Sequence, residues 1–137
     1  MPDRTTYDQV QEFHEAFGHP VNAVNINEPD GTKWRELKEF LEFRRRLIDE
    51  ELDELFESLL NGDIENSLKE ACDVKYVLDG TLVSIHGLPD PEPAPFAEVH
   101  RSNMSKLGED GKPLYRDDGK VLKGPKFSPA DMSQFFK

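Results

Sequence analysis

The spacing of apolar residues predicts a chain made mainly of helices. In the middle of the sequence apolar side chains recur at helical spacing, at Leu37, Leu41, Ile48, Leu52, Leu55 and Leu59. At ~100° per residue these positions share an arc of about 60° on a helical wheel, which we take as the core-facing stripe. The pattern runs from Trp34 to Leu60 and ends at Asn61-Gly62, which predicts one long helix closed by a glycine.

Three further helices are predicted around this long one. The first covers residues 7–17, where Thr6 and Gln9 match a capping box. Asp63 is the expected cap of the next helix, which runs from Ile64 to about His86. Its apolar stripe consists of Leu68, Ala71, Val74, Leu78, Leu82 and Ile85. A proline-rich connector over 89–95 then leads to a helix at about 95–107.

The remaining segments predict loops and small elements. Residues 19–32 are either a plain connector across one end of a bundle or, with Phe13, the wall of a ligand pocket. Residues 112–123 predict a small hairpin, and Ser128-Pro129 predicts a short helix that buries Met132, Phe135 and Phe136. The fold expected is a single all-α domain over residues 1–137, a four-to-five-helix bundle, with a basic loop and short helix over 109–137.

Composition narrows this picture. With 137 residues, 36% hydrophobic and 33% charged, the chain suits one helical domain that keeps exposed faces or completes its core by forming an oligomer. The single cysteine, Cys72, excludes an internal disulfide and a cysteine-based zinc site, and we expect it to be a small buried residue. No apolar run suggests a signal peptide or a membrane span, so we expect a cytoplasmic protein with no membrane partner.

Charge is spread unevenly along the chain. Residues 1–100 carry 9 basic and 23 acidic side chains, whereas residues 101–137 carry 8 basic and 5 acidic ones. An acidic body argues against nucleic-acid binding, which needs a basic surface. Acids that hold a metal, together with a basic segment that meets phosphate, fit this distribution.

The long predicted helix carries acids in an unusual place. On the wheel, Glu50, Glu51 and Glu54 share an arc with aromatic and aliphatic side chains, whereas Asp49 and Asp53 point to another side and are expected in solvent. A partly buried carboxylate cluster is costly unless a cation or a proton compensates it. Residues 44–46, three consecutive arginines, are expected to form an ordinary solvated face.

The next helix supplies a second acid pair. Glu70 and Asp73 lie one turn apart, on a stripe with small residues that include Gly80. If the acid stripes of the two helices face each other, Glu51 and Glu54 meet Glu70 and Asp73. Four carboxylates without histidine or cysteine predict a Mg²⁺ site, with Mn²⁺ as a plausible substitute. Glu50 is left to bind a second metal or to accept a proton from water.

Two other kinds of metal site do not match these acids. A di-iron bundle needs Glu-x-x-His pairs, and neither Glu51 nor Glu70 has a histidine three residues on. The Asp-Gly-Lys segments at 110–112 and 118–120 lack the ligand spacing of an EF-hand. A solvated acid-rich bundle without a metal remains an alternative.

Taken together, the motifs resemble a known superfamily. Glu50-Glu51-x-x-Glu54 followed by Glu70-x-x-Asp73 is similar to the paired signature of the all-α NTP pyrophosphatases. That group contains MazG-like proteins, dimeric dUTPases and phosphoribosyl-ATP pyrophosphohydrolases. Residues 98–106 resemble its phosphate-contacting stretch, and the Asp-Gly-Lys tail ending near Phe127-Ser128-Pro129 is most similar to the dUTPase-like MazG subgroup.

This resemblance implies a function and a set of roles. Glu51, Glu54, Glu70 and Asp73 would hold Mg²⁺, and Glu50, Glu51 and Glu54 would be the catalytic acids. Water would attack the α-phosphorus of a nucleoside triphosphate and release pyrophosphate. Substrate-binding residues would be Asn103, Lys106, Arg101 and Tyr76, where Tyr76 either stacks on the base or is an ordinary core residue. The resemblance also implies a homodimer or homotetramer.

The residues leave the identity of the base open. Phe13, His14, Asn22 and Asn25 are candidates for its recognition, and dUTP ranks first, followed by dGTP or dATP. The tail resembles the subgroup that controls nucleotide pools, which argues against phosphoribosyl-ATP as the substrate. Two other functions compete with this one, a non-catalytic acidic module that binds a partner protein and a metal-dependent phosphatase that releases orthophosphate.

Overall fold

The all-α prediction is confirmed. The computed structural model describes residues 4–27 and 31–136. Its helices are α1 (Thr6–Phe17), α2 (Gly31–Leu60), α3 (Ile64–Ser84) and α4 (Ala94–Met104), followed by a 3-10 helix at Ser133–Phe135. β-structure in this part of the chain is limited to two isolated bridges. None of the described helices is both long and apolar enough to cross a lipid bilayer.

The described residues form two compact units, which meet in sequence between Leu88 and Pro89. In the first unit, α3 packs against both α2 and α1. The buried apolar residues of this unit are Val10, Leu37, Val83 and Ile85. They come from all three helices and the residue that follows α3, so the core of the first unit lies around the C-terminal half of α3.

The capping box of α1 lies one residue before the predicted position. Thr5 is the N-cap, and its hydroxyl accepts a hydrogen bond from the Asp8 backbone N–H over 3.0 Å. The Asp8 carboxylate in turn accepts a hydrogen bond from the Thr5 N–H over 3.2 Å. The prediction of Thr6 with Gln9 was therefore wrong, because aspartate at the third helical position completes the box as well as the glutamate or glutamine of the usual pattern.

The turn between α2 and α3 is short and well satisfied. Gly62 adopts a left-handed φ of 72°, which closes α2 as predicted. Asp63 then caps α3 by accepting a hydrogen bond from the Asn66 N–H over 3.0 Å. Behind the turn, the buried hydroxyls of Ser58 and Ser67 lie 3.0 Å apart and hold the two helix ends together. A turn this tight makes α2 and α3 antiparallel neighbours.

Part of the predicted core stripe of α3 is exposed, and part of its predicted polar stripe is buried. Leu68 and Leu78, from the expected core stripe, are exposed, whereas Glu70, Gly80 and Ser84 are buried. On α2, Leu41 and Leu59 are likewise exposed. Small residues on α3 let α2 approach closely, and that contact brings the polar stripes together rather than the leucines. Cys72, expected in the core, is exposed as well.

Helix α3 ends at Ser84, two residues before the predicted end, because the chain there pairs with the first loop. Residues 19–27 of that loop run along the end of α3, and a parallel bridge joins Val24 to Ile85. The His86 N–H donates to the Val24 carbonyl over 2.9 Å. Residues 28–30 of the predicted loop lie outside the described residues, and α2 has begun by Gly31, three residues before the predicted start.

The second unit contains α4 and the C-terminal segment. Helix α4 stops at Met104 rather than at 107. The predicted hairpin is present as a single antiparallel bridge between Tyr115 and Val121. The helix predicted from Ser128 is wrong, since only the 3-10 turn Ser133–Phe135 forms there. The Asp131 backbone N–H donates instead to the carboxylate of Glu98, and Met132 and Phe136 stay exposed.

Candidate active site

Three of the four predicted metal ligands come together between α2 and α3. Each of Glu51, Glu70 and Asp73 offers a carboxylate oxygen, and these three oxygens lie within 4.8 Å of one another. Glu70 and Asp73 share a face because they are one helical turn apart on α3. Glu51 meets them from α2 because the tight turn at Gly62 makes the two helices antiparallel.

The cluster is electrostatically strained without a cation. Glu51 is half-buried, and the pKa of its carboxyl is raised above the ordinary value. Burial is the largest cause, and repulsion from the carboxylates of Glu54, Asp73 and Glu70 adds to it. A proton or a cation would relieve this repulsion.

Two buried carboxylate oxygens of the cluster residues lack a hydrogen-bond partner within the described part of the chain. Glu51 Oε2 and Glu70 Oε2 are fully buried and accept no hydrogen bond from any described residue. Buried polar atoms in proteins are nearly always paired, so such atoms need an explanation, and an ion bound between them is one of the recognised ones. Three carboxylates from two rigid helices provide the hard oxygen donors that Mg²⁺ and Mn²⁺ prefer. The residues present therefore fit a divalent cation.

Lys69 is a neighbour of this cluster that the sequence analysis missed. Its ammonium lies 2.7 Å from Asp73 Oδ2 and 3.6 Å from Glu70 Oε1. These two carboxylates raise the pKa of Lys69, the hydrogen bond to Asp73 being the largest cause. The i,i+4 spacing of Lys69 and Asp73 was the available signal. The side chain is largely exposed, so it can swing away when another cation binds.

The wheel correctly placed Asp49 and Asp53 in solvent, but its partly buried arc was wrong for Glu50 and Glu54, which are exposed. Asp49 and Asp53 are exposed, and Asp49 lies 3.8 Å from Arg45 in an i,i+4 ion pair. Glu50 is also exposed. Glu54 is exposed but close enough to Glu51 to raise its pKa by repulsion and by a shared hydrogen bond. Glu54 therefore borders the three-carboxylate cluster without belonging to it.

Tyr76 lies on α3 one turn after Asp73, at the contact with α1. Its ring packs edge-on against Phe13, with centroids 5.5 Å apart. It also lines a cavity of about 220 Å³ together with Thr6, Gln9, Val10, Cys72, Lys75 and Asp79. The tyrosine is thus partly exposed to a cavity and partly held by an aromatic partner.

Three candidates for base recognition have internal partners. His14 is buried, and its Nδ1 lies 2.7 Å from the Pro20 carbonyl oxygen, so it ties α1 to the loop. The Asn22 side chain accepts a hydrogen bond from the Gly87 N–H. The Asn25 side chain accepts one from the Asn27 N–H and lines a cavity of about 400 Å³ with Ala23, Val24, Lys33, Glu36, Leu37 and Phe40. The loop therefore walls a cavity, but Phe13 is not part of it.

Arg101 is held by partners within the second unit. Its guanidinium forms a two-point contact with Glu98, at 2.7 and 2.9 Å, and also donates to the Pro129 carbonyl. The pKa of Glu98 is lowered to about 2, the hydrogen bond from Arg101 being the largest cause. To reach a phosphate group, Arg101 would have to leave this pair.

Asn103 and Lys106 also belong to the second unit. Asn103 is exposed in the last turn of α4. Lys106 lies just beyond the helix and is half-buried, and its backbone N–H donates to the Asn103 carbonyl over 3.1 Å. The prediction that one helix carries both residues was wrong, but a turn still keeps them close in the backbone.

Comparison with known proteins identifies the family. A sequence model of the phosphoribosyl-ATP pyrophosphohydrolase family matches residues 10–103. The chain belongs to this family. Membership confirms the resemblance to the all-α NTP pyrophosphatase superfamily. The matched region contains both carboxylate helices and Asn103, whereas Lys106 and the C-terminal segment lie beyond it.

Individual relatives of this chain are distant. It is 26% identical over 103 residues to uncharacterized protein L479 of Acanthamoeba polyphaga mimivirus. That alignment covers 75% of the chain but 39% of the viral protein. Among solved structures, a protein from Exiguobacterium sp. 255-15, provisionally named an NTP pyrophosphohydrolase, is 24% identical with a TM-score of 0.37, over 93% of this chain and 89% of the other. A TM-score this low does not by itself establish a common fold.

Proposed function

We propose that the chain is a Mg²⁺-dependent nucleoside triphosphate pyrophosphohydrolase that cleaves a (d)NTP to the (d)NMP and pyrophosphate. The observation that carries the proposal is the cluster of Glu51, Glu70 and Asp73, in which two buried carboxylate oxygens have no hydrogen-bond partner among the described residues. Family membership supports the reaction class. Mn²⁺ has the same preference for oxygen ligands and is the expected substitute.

The acids of α2 and α3 have different proposed roles. Glu51, Glu70 and Asp73 hold the cation, and Glu54 beside them completes the negative field that attracts it. A bound divalent cation neutralises charge on phosphoryl oxygens during phosphoryl transfer. Glu50 is exposed one residue before the cluster, and its role is either to accept the proton of the attacking water or to bind a second ion.

The resemblance assigns phosphate contacts to side chains of the second unit. Lys106 offers a point charge and Asn103 an amide donor, both suited to phosphate oxygens. Arg101 assists only if it exchanges its contact with Glu98 for the substrate. Because Lys106 lies outside the region matched by the family, its role is carried by chemistry and by the resemblance in residues 98–106.

The substrate proposed first is dUTP, followed by a purine deoxynucleotide such as dGTP or dATP. The cavity lined by Tyr76 has room for one aromatic ring system and offers a stacking surface and polar side chains. Such an enzyme would control the nucleotide pool by removing its substrate from the supply of triphosphates. The dUTPase-like tail supports a nucleotide rather than phosphoribosyl-ATP.

We also propose a homodimer or homotetramer. Around the α2–α3 turn, five large apolar side chains are exposed at Phe56, Leu59, Leu60, Ile64 and Leu68. Isolated exposed leucines are common, but a concentration of this kind is typical of interfaces. Burying these side chains against a second copy would explain why the apolar stripe of α3 faces outward.

A substrate panel with product identification tests the proposed reaction. The purified protein is incubated with each dNTP, with dUTP and with phosphoribosyl-ATP, in Mg²⁺, in Mn²⁺ or with EDTA, and the products are separated by ion-exchange chromatography. We expect monophosphate and pyrophosphate from a deoxynucleotide, dUTP above all, and no product with EDTA. Orthophosphate would indicate the competing phosphatase, and no product from any substrate would leave the partner-binding module as the better hypothesis.

Matched variants connect the activity to the cluster. Glu51→Gln removes one ligand without changing its size, so activity is expected to fall about 100-fold or more, beyond the 10–100-fold typical of outer-shell groups. Asp53→Asn makes the same chemical change two residues away, at an exposed position, and is expected to leave activity unchanged. Equal activity in both variants would place the reaction elsewhere.

A further inference from the structure

A buried arginine bridges α2 and α3 beside the carboxylate cluster. Arg44 is only 8% exposed, although its neighbours Arg45 and Arg46 are more accessible to solvent. Its Nε donates to Thr81 Oγ1 over 3.0 Å, and its Nη2 donates to the Val77 carbonyl over 2.8 Å. The prediction that all three arginines form a solvated face was therefore wrong for Arg44.

This guanidinium is buried at a cost. Burial lowers its pKa, and no carboxylate among the described residues lies within ion-pair distance of it. A buried charge that lacks an opposite charge destabilises the folded state, and an apolar side chain of similar volume is often at least as stable in its place. Stability alone is thus a poor reason for an arginine at this position.

Gly80 on α3 provides the space for Arg44. A Cβ atom built at Gly80 would lie 2.5 Å from Arg44 Nη2 and 2.9 Å from His14 Nε2. Any larger residue would displace the guanidinium. Glycine inside a helix costs about 1 kcal/mol relative to alanine. The chain therefore carries two locally unfavourable residues, a buried arginine and a helical glycine, that fit each other.

The hydrogen bonds of Arg44 lie in register with the carboxylate cluster. Glu51 follows Arg44 by seven residues on α2, and Glu70 precedes Val77 by seven residues on α3. Because the helices are antiparallel, these equal separations place both contacts on one interface, about two turns apart. A slip of one residue between the helices would move a carboxylate by about 1.5 Å along the axis and turn it by ~100°. Such a movement would disperse oxygens that now lie within 4.8 Å of one another.

We infer that Arg44 is a positioning residue for the carboxylate cluster, because its two hydrogen bonds fix the register of α2 against α3 and so hold Glu51 beside Glu70 and Asp73. Guanidinium suits this task, since its planar fork donates in two fixed directions at once. Lysine at the same place would keep the charge but lose the fork. The inference rests on the metal site of the proposed function, but it does not require that the protein hydrolyse a nucleotide.

Mn²⁺ binding measured without substrate tests this role. Free and bound Mn²⁺ are distinguished by electron paramagnetic resonance during a titration of each variant. Arg44→Met keeps the volume and removes the hydrogen bonds, so we expect Mn²⁺ affinity to fall at least about tenfold, the size seen when groups that orient metal ligands are removed. Thermal stability is expected to stay close to wild type or rise. Arg44→Lys is expected to bind about as weakly as Arg44→Met, and Arg45→Met, its exposed neighbour, like wild type.

A second variant reaches the same contact from the other helix. Gly80→Ala pushes the guanidinium away while favouring the helix, so Mn²⁺ affinity should fall although α3 gains propensity. Combined with Arg44→Met, it should produce no further loss of affinity, because the contact it disrupts is already gone. Gly80→Ala on its own keeps the test valid if Arg44→Met folds poorly.

The outcomes separate this inference from the proposed function. Wild-type Mn²⁺ affinity in Arg44→Met, or additive losses in the double variant, would overturn the positioning role. If the wild type binds Mn²⁺ and Arg44→Met does not, the role stands even when no nucleotide is hydrolysed. If the wild type binds no Mn²⁺ at all, both the metal site and the role of Arg44 are overturned.

Discussion

At the residue scale, the raised pKa of Glu51 determines how the metal-free protein responds to pH. The folded chain keeps a proton on Glu51 above the ordinary value of 4.5, where the unfolded chain has lost it. The stabilisation from this proton is therefore fully present below pH 4.5 and is lost as the pH rises through the raised pKa. Glu51 lies among three other carboxylates, and a bound cation would offset their repulsion. We therefore expect this pH dependence of stability only in the metal-free protein.

We expect Glu51→Gln to remove this dependence. In EDTA, the variant should gain stability relative to the wild type as the pH rises from 4.5 toward neutrality, because glutamine carries no charge to repel. Thermal unfolding at several pH values measures the difference. Asp53→Asn is the control and should run parallel to the wild type, and a parallel curve for Glu51→Gln would contradict the strain inferred at the cluster.

The lowered pKa of His14 makes stability rise with pH, opposite to the effect of Glu51 and over a higher pH range. Its pKa is lowered from 6.5, first by burial and then by the nearby charges of Arg44 and His19, against a hydrogen bond to the Pro20 carbonyl that raises it. Below pH 6.5 the unfolded chain binds a proton that the folded chain resists. The stabilisation from neutral His14 is therefore present above pH 6.5 and is lost as the pH falls through the lowered pKa.

We expect His14→Gln to flatten the decline in stability below pH 6.5. The variant also loses a buried hydrogen bond, so above pH 6.5 its free energy of unfolding should be lower than that of the wild type by about 1 kcal/mol, and this difference should shrink as the pH falls. The quantity to measure is the change in the free energy of unfolding with pH, not its absolute value. Urea unfolding between about pH 5 and 7.5 provides it. His100→Gln, at an exposed position, should keep the wild-type slope. An unchanged slope in His14→Gln would show that the histidine does not titrate differently on folding.

These residues also show where sequence reasoning succeeds and where it fails. The i,i+3 spacing of Glu70 and Asp73 is local, so a helical wheel predicts that they share a face. The burial of Arg44 depends on Gly80, thirty-six residues away, and no local pattern contains that information. A run of three arginines is normally solvated, and only the packed helices distinguish the first of them from the other two.

At the element scale, the same limit explains why Leu68 and Leu78 of α3 are exposed. Periodicity correctly predicted the existence and approximate bounds of α1 to α4, because apolar spacing and caps are local features. It assigned the leucine stripe of α3 to the core, on the assumption that apolar faces pack within one chain. The contact with α2 instead uses Gly80, whose missing side chain leaves room for the Arg44 guanidinium. Acids that must face each other across an interface displace the apolar residues from it.

The contact between α4 and residues 129–131 gives an element-scale prediction. Glu98 accepts hydrogen bonds from Arg101 and from the Asp131 backbone N–H, and its pKa is lowered from 4.5 to about 2. A lowered pKa means that the folded chain favours the ionised carboxylate. The stabilisation from Glu98 is therefore present above pH 4.5 and is lost as the pH falls toward 2.

We expect Glu98→Gln to lower stability above pH 4.5 and to approach the wild type as the pH falls toward 2. Urea unfolding at several pH values across this range follows the difference between the two proteins. Limited proteolysis near neutral pH should cut the C-terminal segment of the variant sooner, because one of its attachments to α4 is gone. Glu109→Gln, an exposed carboxylate beyond α4, is the control. A difference that stays constant with pH would mean that ionised Glu98 does not hold this segment.

At the scale of the whole molecule, the grouping of the carboxylates was more predictable than their surroundings. Residue types and spacing indicated an oxygen-only metal site and named Glu51, Glu70 and Asp73, which the helices bring together. Lys69, Arg44 and the engaged state of Arg101 were not foreseen, because each depends on partners that folding selects. The base also stays a proposal, since two of its candidate contacts, His14 and Asn22, are held by internal hydrogen bonds.

The outward leucines lead to a prediction about assembly. Leu60, Ile64 and Leu68 are 87%, 78% and 70% exposed, although all three lie beside the tight turn that joins α2 to α3. Solvation of three large apolar side chains in one stretch is unfavourable, and burial against a second copy would recover about 1.5–3 kcal/mol for each. Because none of the three contributes to the core of its own chain, a charged substitution there should disturb assembly without unfolding the protein.

We therefore expect Leu68→Glu to shift the protein from an oligomer toward the monomer. Light scattering coupled to size-exclusion chromatography measures the mass of wild type and variant over a range of concentrations, and circular dichroism checks that the helices remain. Leu122→Glu makes the same change at an exposed leucine of the second unit and should leave the mass unchanged. A monomeric wild type would contradict the proposed assembly outright. An oligomer that persists in Leu68→Glu would place the interface away from the turn, and the exposed leucines of α3 would then need a different partner.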